Sequence, residues 1–325
     1  MFTTKRVLAI SLVLFLGVVA VAPAEGAPAW KPTETITGFD IGGTPGSAYD
    51  LILRQIATVI PDYLGVRMVV QNLPGGDGLV GMDKLVRSKP DGYTFGIARM
   101  PTYVAMALTK PLEVDASELI VPAAILVPPY ILMASKKSEV TSLSQLLEAG
   151  EKIKMSVSGG SMAAIGLAAF FREKGVEFVV APAKGTAEAE MSIRGGYANL
   201  YIAAGTSVGL RTVTSGDATP ILIFDDKRDP RFPDTPCLQD VGMSKDLKNL
   251  RAMRMFVFPP GVPEERMEVM RNGLTKAIQD PKTQEWSKKA DIPVDLADPA
   301  TIDKQLKWVS DFLSRYPDLV KRYFF

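Results

Sequence analysis

Histidine is absent from this 325-residue chain, and cysteine occurs once, at Cys237. The first absence excludes Ser-His-Asp triads, Cys-His dyads and histidine-ligated zinc or iron. The second excludes an intrachain disulfide, so packing alone must hold the fold even in an oxidising compartment. Charge of one sign is also missing: 37 Lys and Arg face 36 Asp and Glu, which leaves no basic bulk for a nucleic acid. Beyond the N-terminal segment no apolar run approaches the roughly 20 residues that span a bilayer. Nothing in the pattern sets two carboxylates at helical spacing beside a glycine loop, nor a nucleophile beside a base, so no catalytic machinery is visible. The fourteen methionines and fourteen phenylalanines are the content of ordinary hydrophobic cores, and no cofactor or metal is needed to explain them.

What is present begins with Lys5 and Arg6, an apolar run from Val7 to Val21, and the small residues Ala22-Pro23-Ala24. This is the layout of a secretory signal peptide over residues 1–24, cleaved after Ala24 or Gly26. The run is short for a membrane anchor, and no cysteine follows it at a lipidation position. About 300 residues then remain, the size of two α/β lobes.

From Thr35 onward short β-like runs alternate with amphipathic helices. Ile36 to Ile41 reads as a strand, and Ala48 to Ile60 as a helix with Leu51, Ile52, Ile56, Val59 and Ile60 on one face. Val66 to Gln71, Leu79 to Arg87 and Tyr93 to Ala98 complete a βαβαβ unit. The apolar stretch Ala123 to Ala134 is broken by Pro128-Pro129, which suits a segment crossing between lobes. Further strands are expected at 154–157, 177–181, 198–203, 220–224 and 253–258, with helices at 142–149, 162–174, 187–194, 263–279, 283–290 and 300–315. The expected division is residues 29–122 with 246–325 as one discontinuous lobe and 123–245 as the other.

The most specific block is Val69 to Ala98, where a strand ending in Asn72 leads into Leu73-Pro74-Gly75-Gly76, a short helix with Gly81, and the turn Pro90-Asp91-Gly92-Tyr93-Thr94. This block resembles the solute receptors of tripartite tricarboxylate transporters, and the resemblance extends over nearly all of the chain after the signal. It implies a type II periplasmic binding protein fold: two doubly wound α/β lobes, a two-segment hinge and a ligand cleft between them. It also implies a non-enzymatic, monomeric periplasmic receptor without cofactor or metal, which captures a small organic carboxylate, a di- or tricarboxylate or an aromatic acid. Such a receptor passes its ligand to an integral-membrane permease; the same fold would equally serve a sensor kinase as a carboxylate detector.

Ligands of such folds bind beyond the carboxyl ends of strands, so the loops there hold the candidate residues. Pro45, Gly46, Asp50 and Arg54 match the family's Pro-Gly-Gly loop and the helix that follows it. Ser47 replaces the second glycine and offers a hydroxyl. Ala48 and Tyr49 open the helix, whose free amides favour an anion, and Tyr49 is placed to stack on an aromatic acid. Asp50 and Arg54, four apart, are expected to brace the loop rather than touch the ligand. Arg99 after the third strand reads either as a bidentate carboxylate clamp or as a surface arginine. In the second lobe, Ser158-Gly159-Gly160-Ser161 and Lys184-Gly185-Thr186 resemble the family's facing loops, with Ala183 in place of a tyrosine; Lys184 reads equally as an anion contact and as a solvated lysine. Ala204-Gly205-Thr206 ends a strand toward the cleft. Asn199 stands where the family has aspartate, and Cys237 where threonine is common.

Overall fold

The computed structural model describes residues 30–324 except 76–77, 100–103, 105–119, 149–152, 159–161, 177, 184–185, 243–246 and 252. The expected signal peptide therefore lies outside the described residues.

Two five-stranded sheets organise the chain. The first contains β1 (Ile36–Ile41), β2 (Met68–Leu73), β3 (Thr94–Arg99), β4 (Ile120–Leu126) and β10 (Met253–Phe258) in the order β2-β1-β3-β10-β4. The second contains β5 (Tyr130–Ser135), β6 (Ile153–Ser158), β7 (Phe178–Ala183), β8 (Leu200–Ala204) and β9 (Ala218–Ile223) in the order β7-β6-β8-β5-β9. In each sheet four strands point the same way, and one strand, β10 or β5, runs antiparallel between two of them. The chain leaves the first sheet at Leu126, passes through Val127-Pro128-Pro129, and enters the second at Tyr130; β10 brings it back. Neither Pro128 nor Pro129 can donate to a ladder, and Pro129 O accepts from Gly205 N at 2.9 Å. Mixed α/β architecture with two lobes is thus the type II periplasmic binding fold.

Ten helices are placed among the described residues: α1 (Ala48–Leu64), α2 (Leu79–Val86), α3 (Leu143–Glu148), α4 (Met162–Lys174), α5 (Thr186–Gly195), α6 (Arg211–Thr214), α7 (Glu264–Gln279), α8 (Pro281–Ala290), α9 (Pro299–Arg315) and α10 (Pro317–Phe324). The apolar spacing of α1 points to an end at Ile60, before Pro61, yet the helix continues to Leu64 and stops at Gly65, whose φ of 74° suits a left-handed cap. Pro61 removes one internal hydrogen bond, and the extra turn is held because Leu64 is buried against α7, where a Cβ on Gly273 would stand 2.4 Å from Leu64 Cδ2. Phe95 on β3 stacks with Phe258 on β10 at 5.5 Å and meets Phe256 at 6.0 Å, so the returning strand is fixed by the core as well as by its ladder.

Helix α4 is apolar almost all round, with Ala163 through Ile165 and Leu167 through Phe171 buried. Its outer side is covered by α10, where Leu319 and Val320 join the same core and Asp318 pairs with Arg172. Strand β4 carries the first sheet to Leu126, past the expected boundary at 122/123, and α10, expected on the first lobe, lies on α4, which connects β6 and β7 of the second sheet. Among the described residues no helix is long and apolar enough to cross a membrane.

Candidate functional site

Beyond the carboxyl end of β1 the chain turns through Gly42 and Gly43 into the start of α1. Gly42 and Gly46 have φ of 80° and 82°, conformations that glycine adopts without a Cβ penalty. Ser47 caps the helix: its Oγ accepts from Asp50 N at 3.1 Å and donates to Asp40 Oδ2 at 2.8 Å. The single Ser47 proton is therefore committed to Asp40, which corrects the expectation that this hydroxyl is offered to a ligand. Asp50 is buried and accepts from Gly46 N at 2.9 Å, from Arg54 Nε at 2.9 and 3.0 Å, and from Asn72 Nδ2 at 3.0 Å. These contacts tie the glycine loop to the helix below it.

The two carboxylates Asp40 and Asp50 come from different elements, β1 and α1, and share one donor, since Asn72 Nδ2 also lies 3.0 Å from Asp40 Oδ2. The pair is joined across a turn and not at helical spacing, so a search for carboxylates at helical spacing passes over it. Burial pushes the Asp40 carboxyl above its ordinary value of 3.8, although Ser47, Asn72 and Arg99 act in the other direction and Asp50 adds to the rise. Its Oδ1 is buried without a partner. Asp50 is also penalised by burial, but the bonds from Arg54, Gly46 and Asn72 outweigh this and lower its pKa.

A pH dependence follows. The folded state retains a proton on Asp40 that the unfolded chain releases, so this group's contribution to stability falls as pH rises from about 3.8 through its raised folded pKa. Asp40→Asn keeps an oxygen for Ser47 and Asn72 and removes the ionisation. Urea melts between pH 4 and 7 should show the variant gaining on the wild type as pH rises; an unchanged difference across the range would contradict the assignment.

Arg99 is the last residue of β3 and is exposed; its guanidinium stands 5.5 Å from the centre of the Tyr49 ring. Arg254, directly opposite Arg99 in the antiparallel ladder, lies 5.5 Å from the same ring. With two guanidinium groups on it, the Tyr49 ring is already engaged, so the expected stacking on an aromatic acid would have to displace a cation. Tyr130, the first residue of β5, closes this group: burial raises its hydroxyl pKa, and Tyr49, Arg99 and Arg254 all act on it. The second-lobe loop 204–207 reaches across to the first lobe. Gly205 O accepts from Arg231 Nη2 at 2.8 Å, Thr206 Oγ1 accepts from Gly209 N at 3.2 Å, and Ser207 Oγ donates to Ala290 O at 2.8 Å. Thr206 is buried in its own turn, whereas Ala204 is half-buried.

Ser158 ends β6 and Thr186 opens α5, while Gly159, Gly160, Ser161, Lys184 and Gly185 lie outside the described residues. Asn199 is used locally, its Oδ1 accepting from Lys154 N at 2.9 Å and its Nδ2 donating to Ser138 Oγ at 3.2 Å. Cys237 is buried, with its Sγ 3.3 Å from Asp226 O. Asp40, Asn72, Tyr130 and Arg254 were not among the candidates. Two of them had a signal: each places a charged residue inside a short apolar strand, ITGFDI or MRMFVF. Among the described residues no three His, Cys, Asp or Glu side chains form a group that would hold a metal.

Two doubly wound sheets joined by two crossing segments, with glycine loops, helix starts and arginines at their facing ends, define a two-lobed binding protein of the periplasmic type. The sequence narrows the class: the family described as tripartite tricarboxylate transporter family receptor (TctC) matches residues 52–323, and the chain belongs to it. It is similar to protein BugT of Bordetella pertussis, 25% identical over 314 residues that make up 94% of this chain and 93% of the relative. Among solved structures it is similar to the periplasmic binding protein BugD, with a TM-score of 0.74 at 20% identity over 89% of this chain and 98% of that one. It is also similar to MatC from Rhodopseudomonas palustris with bound malate, with a TM-score of 0.73 at 20% identity over 89% and 99%. A further R. palustris protein, solved with adipate, has a TM-score of 0.75 at 19% identity over 89% and 98%. The family is one of solute-binding receptors.

Proposed function

We propose that this receptor captures a small organic carboxylate in the cleft between its lobes and delivers it, unchanged, to a tripartite tricarboxylate-type permease. It does so as a monomer in the periplasm, after loss of residues 1–24. The lobes divide within 127–129 and again between β9 and β10, with the terminal helix α10 lying on α4 of the second lobe, and the ligand-facing groups are the loop Pro45 to Tyr49 without the Ser47 hydroxyl, Arg99, and the second-lobe loops at 158–161, 184–186 and 204–206. The observation that carries the reading is Arg99: a guanidinium at a strand end, beside the amide-rich start of α1, without an ion pair among the described residues. Malate and adipate in two proteins of this fold support the ligand class.

Arg99→Ala tests this role. A charge-assisted bond is worth about 1.5–3 kcal/mol, so loss of one exposed clamp is expected to weaken dicarboxylates by roughly tenfold and monocarboxylates much less. Calorimetric titration of both kinds of acid measures it, and an equal loss for the two would remove Arg99 from the site.

A further inference from the structure

Strand β10 carries one cation among apolar neighbours. Met253, Met255, Phe256, Val257 and Phe258 are buried, and Arg254 is buried with them, 3% exposed. Its Nη1 donates to Pro293 O at 3.1 Å, and its Nε is sealed from solvent without an acceptor. No carboxylate pairs with Arg254 or with Arg99 among the described residues. The acid whose field reaches Arg99, Asp40, is itself held by Ser47 and Asn72.

This arrangement is unfavourable for the protein alone. Like charges directly opposite in an antiparallel ladder repel, and a buried cation without a counter-ion carries a desolvation cost that hydrogen bonds to neutral groups do not return. Burial, with Arg99 adding to it, lowers the pKa of Arg254. Two adjacent guanidinium groups, one fixed in the core and one exposed, at the cleft end of the sheet, supply the positive field and the spare N–H donors that an acidic group requires.

We propose that Arg254 acts with Arg99 as a two-cation anchor for the second acidic group of the ligand, and that this pair makes the receptor select dicarboxylates over monocarboxylates of equal length. The inference rests on the carboxylate-capture reading above. Arg254 supplies the fixed half of the anchor, Tyr49 aligns both guanidinium groups, and approach to the buried half requires the lobes to part around Tyr130.

The test uses the chain from residue 25 onward and two matched pairs of acids, adipate with hexanoate and succinate with butyrate, titrated against wild type, Arg254→Met and Arg254→Lys. Wild type should prefer the diacid of at least one pair by roughly 30-fold, the value of about one charge-assisted bond. Arg254→Met should erase that preference while leaving the monoacid within about threefold, and should raise the melting temperature of the ligand-free protein, because an unpaired buried charge is gone. Arg254→Lys, which keeps the charge and loses the planar fork, should retain part of the preference and covers the case in which Arg254→Met does not fold. A merely structural Arg254 would give the opposite signs: a less stable ligand-free protein and an intact diacid preference. That result, or equal losses for both members of a pair, overturns the inference alone; binding of none of the four acids by wild type overturns the capture reading with it.

Discussion

Asp50→Ala is expected to cost the folded state about 3–5 kcal/mol and to abolish stabilisation by ligand. The buried carboxylate is the acceptor for Gly46 N, Arg54 Nε and Asn72 Nδ2, and each hydrogen bond to a charged group is worth about 1.5–3 kcal/mol. Arg54 is half exposed, so its ion pair contributes little once water screens it; the loss comes from the bonds that Asp50 accepts from Gly46 N and Asn72 Nδ2, although Asn72 keeps its second acceptor, Asp40 Oδ2. Without that acceptor the loop at 42–47 loses its tie to α1, and the helix start no longer faces the cleft in one conformation. Paired denaturant melts with and without a bound carboxylate measure both effects. The sign with pH is opposite to that of Asp40: the Asp50 contribution is present above the ordinary carboxylate pKa and is lost as pH falls through its lowered folded value. A variant that melts like the wild type and still binds would show that the brace is dispensable.

Gly43→Ala should show nearly the reverse balance, with binding lost by about 100-fold or more and stability reduced by only about 1–3 kcal/mol, the usual cost of overpacking. A Cβ at Gly43 would stand 2.1 and 2.2 Å from the two oxygens of Asp40. That carboxylate cannot swing aside cheaply, because Ser47 and Asn72 both hold Oδ2 and Phe39 and Ile41 pack the strand on either side. The loop must therefore lift, carrying Pro45, Gly46 and the cap of α1 away from the cleft. Calorimetric titration of a carboxylate that the wild type binds, together with a thermal melt of the free variant, separates the two quantities. Full affinity in Gly43→Ala would mean that the first loop is not part of the site.

How much of this was legible in the sequence differs by element. The βαβαβ unit was readable because its strands and helices have distinct apolar periods, and because Gly65 and the turn at Pro90 to Thr94 punctuate them. Strand ends moved by one or two residues, enough to make Arg99 the last residue of β3 rather than a loop residue. The stretch Ala123 to Ala134 read as one crossing segment; it contains the end of β4 and most of β5, which belong to different sheets on either side of the prolines. Periodicity cannot separate two strands that share an apolar run. The site was less legible. Asp40, Arg254 and Tyr130 are distant in sequence and meet only through the sheet order, and β10 reaches β3 only after the whole second lobe has been built. A charged residue in a buried strand was the available clue, and it would have singled out Asp40 and Arg254. Ser47 shows the converse: its place in the loop suggested a ligand contact, whereas its hydroxyl is shared between Asp50 N and Asp40.

The most direct measurement of the central claim is equilibrium stabilisation of the chain from residue 25 onward, unfolded and refolded first to strip any ligand, by a panel of carboxylates at millimolar concentration. An acid present at about 100 times its dissociation constant adds about 2.7 kcal/mol of stability. The account predicts a shift of that size with at least one dicarboxylate, reduced by Gly43→Ala and by Arg99→Ala, with the acid recovered unchanged. A cooperatively folded protein that no carboxylate stabilises, or that converts the acid it binds, would contradict it.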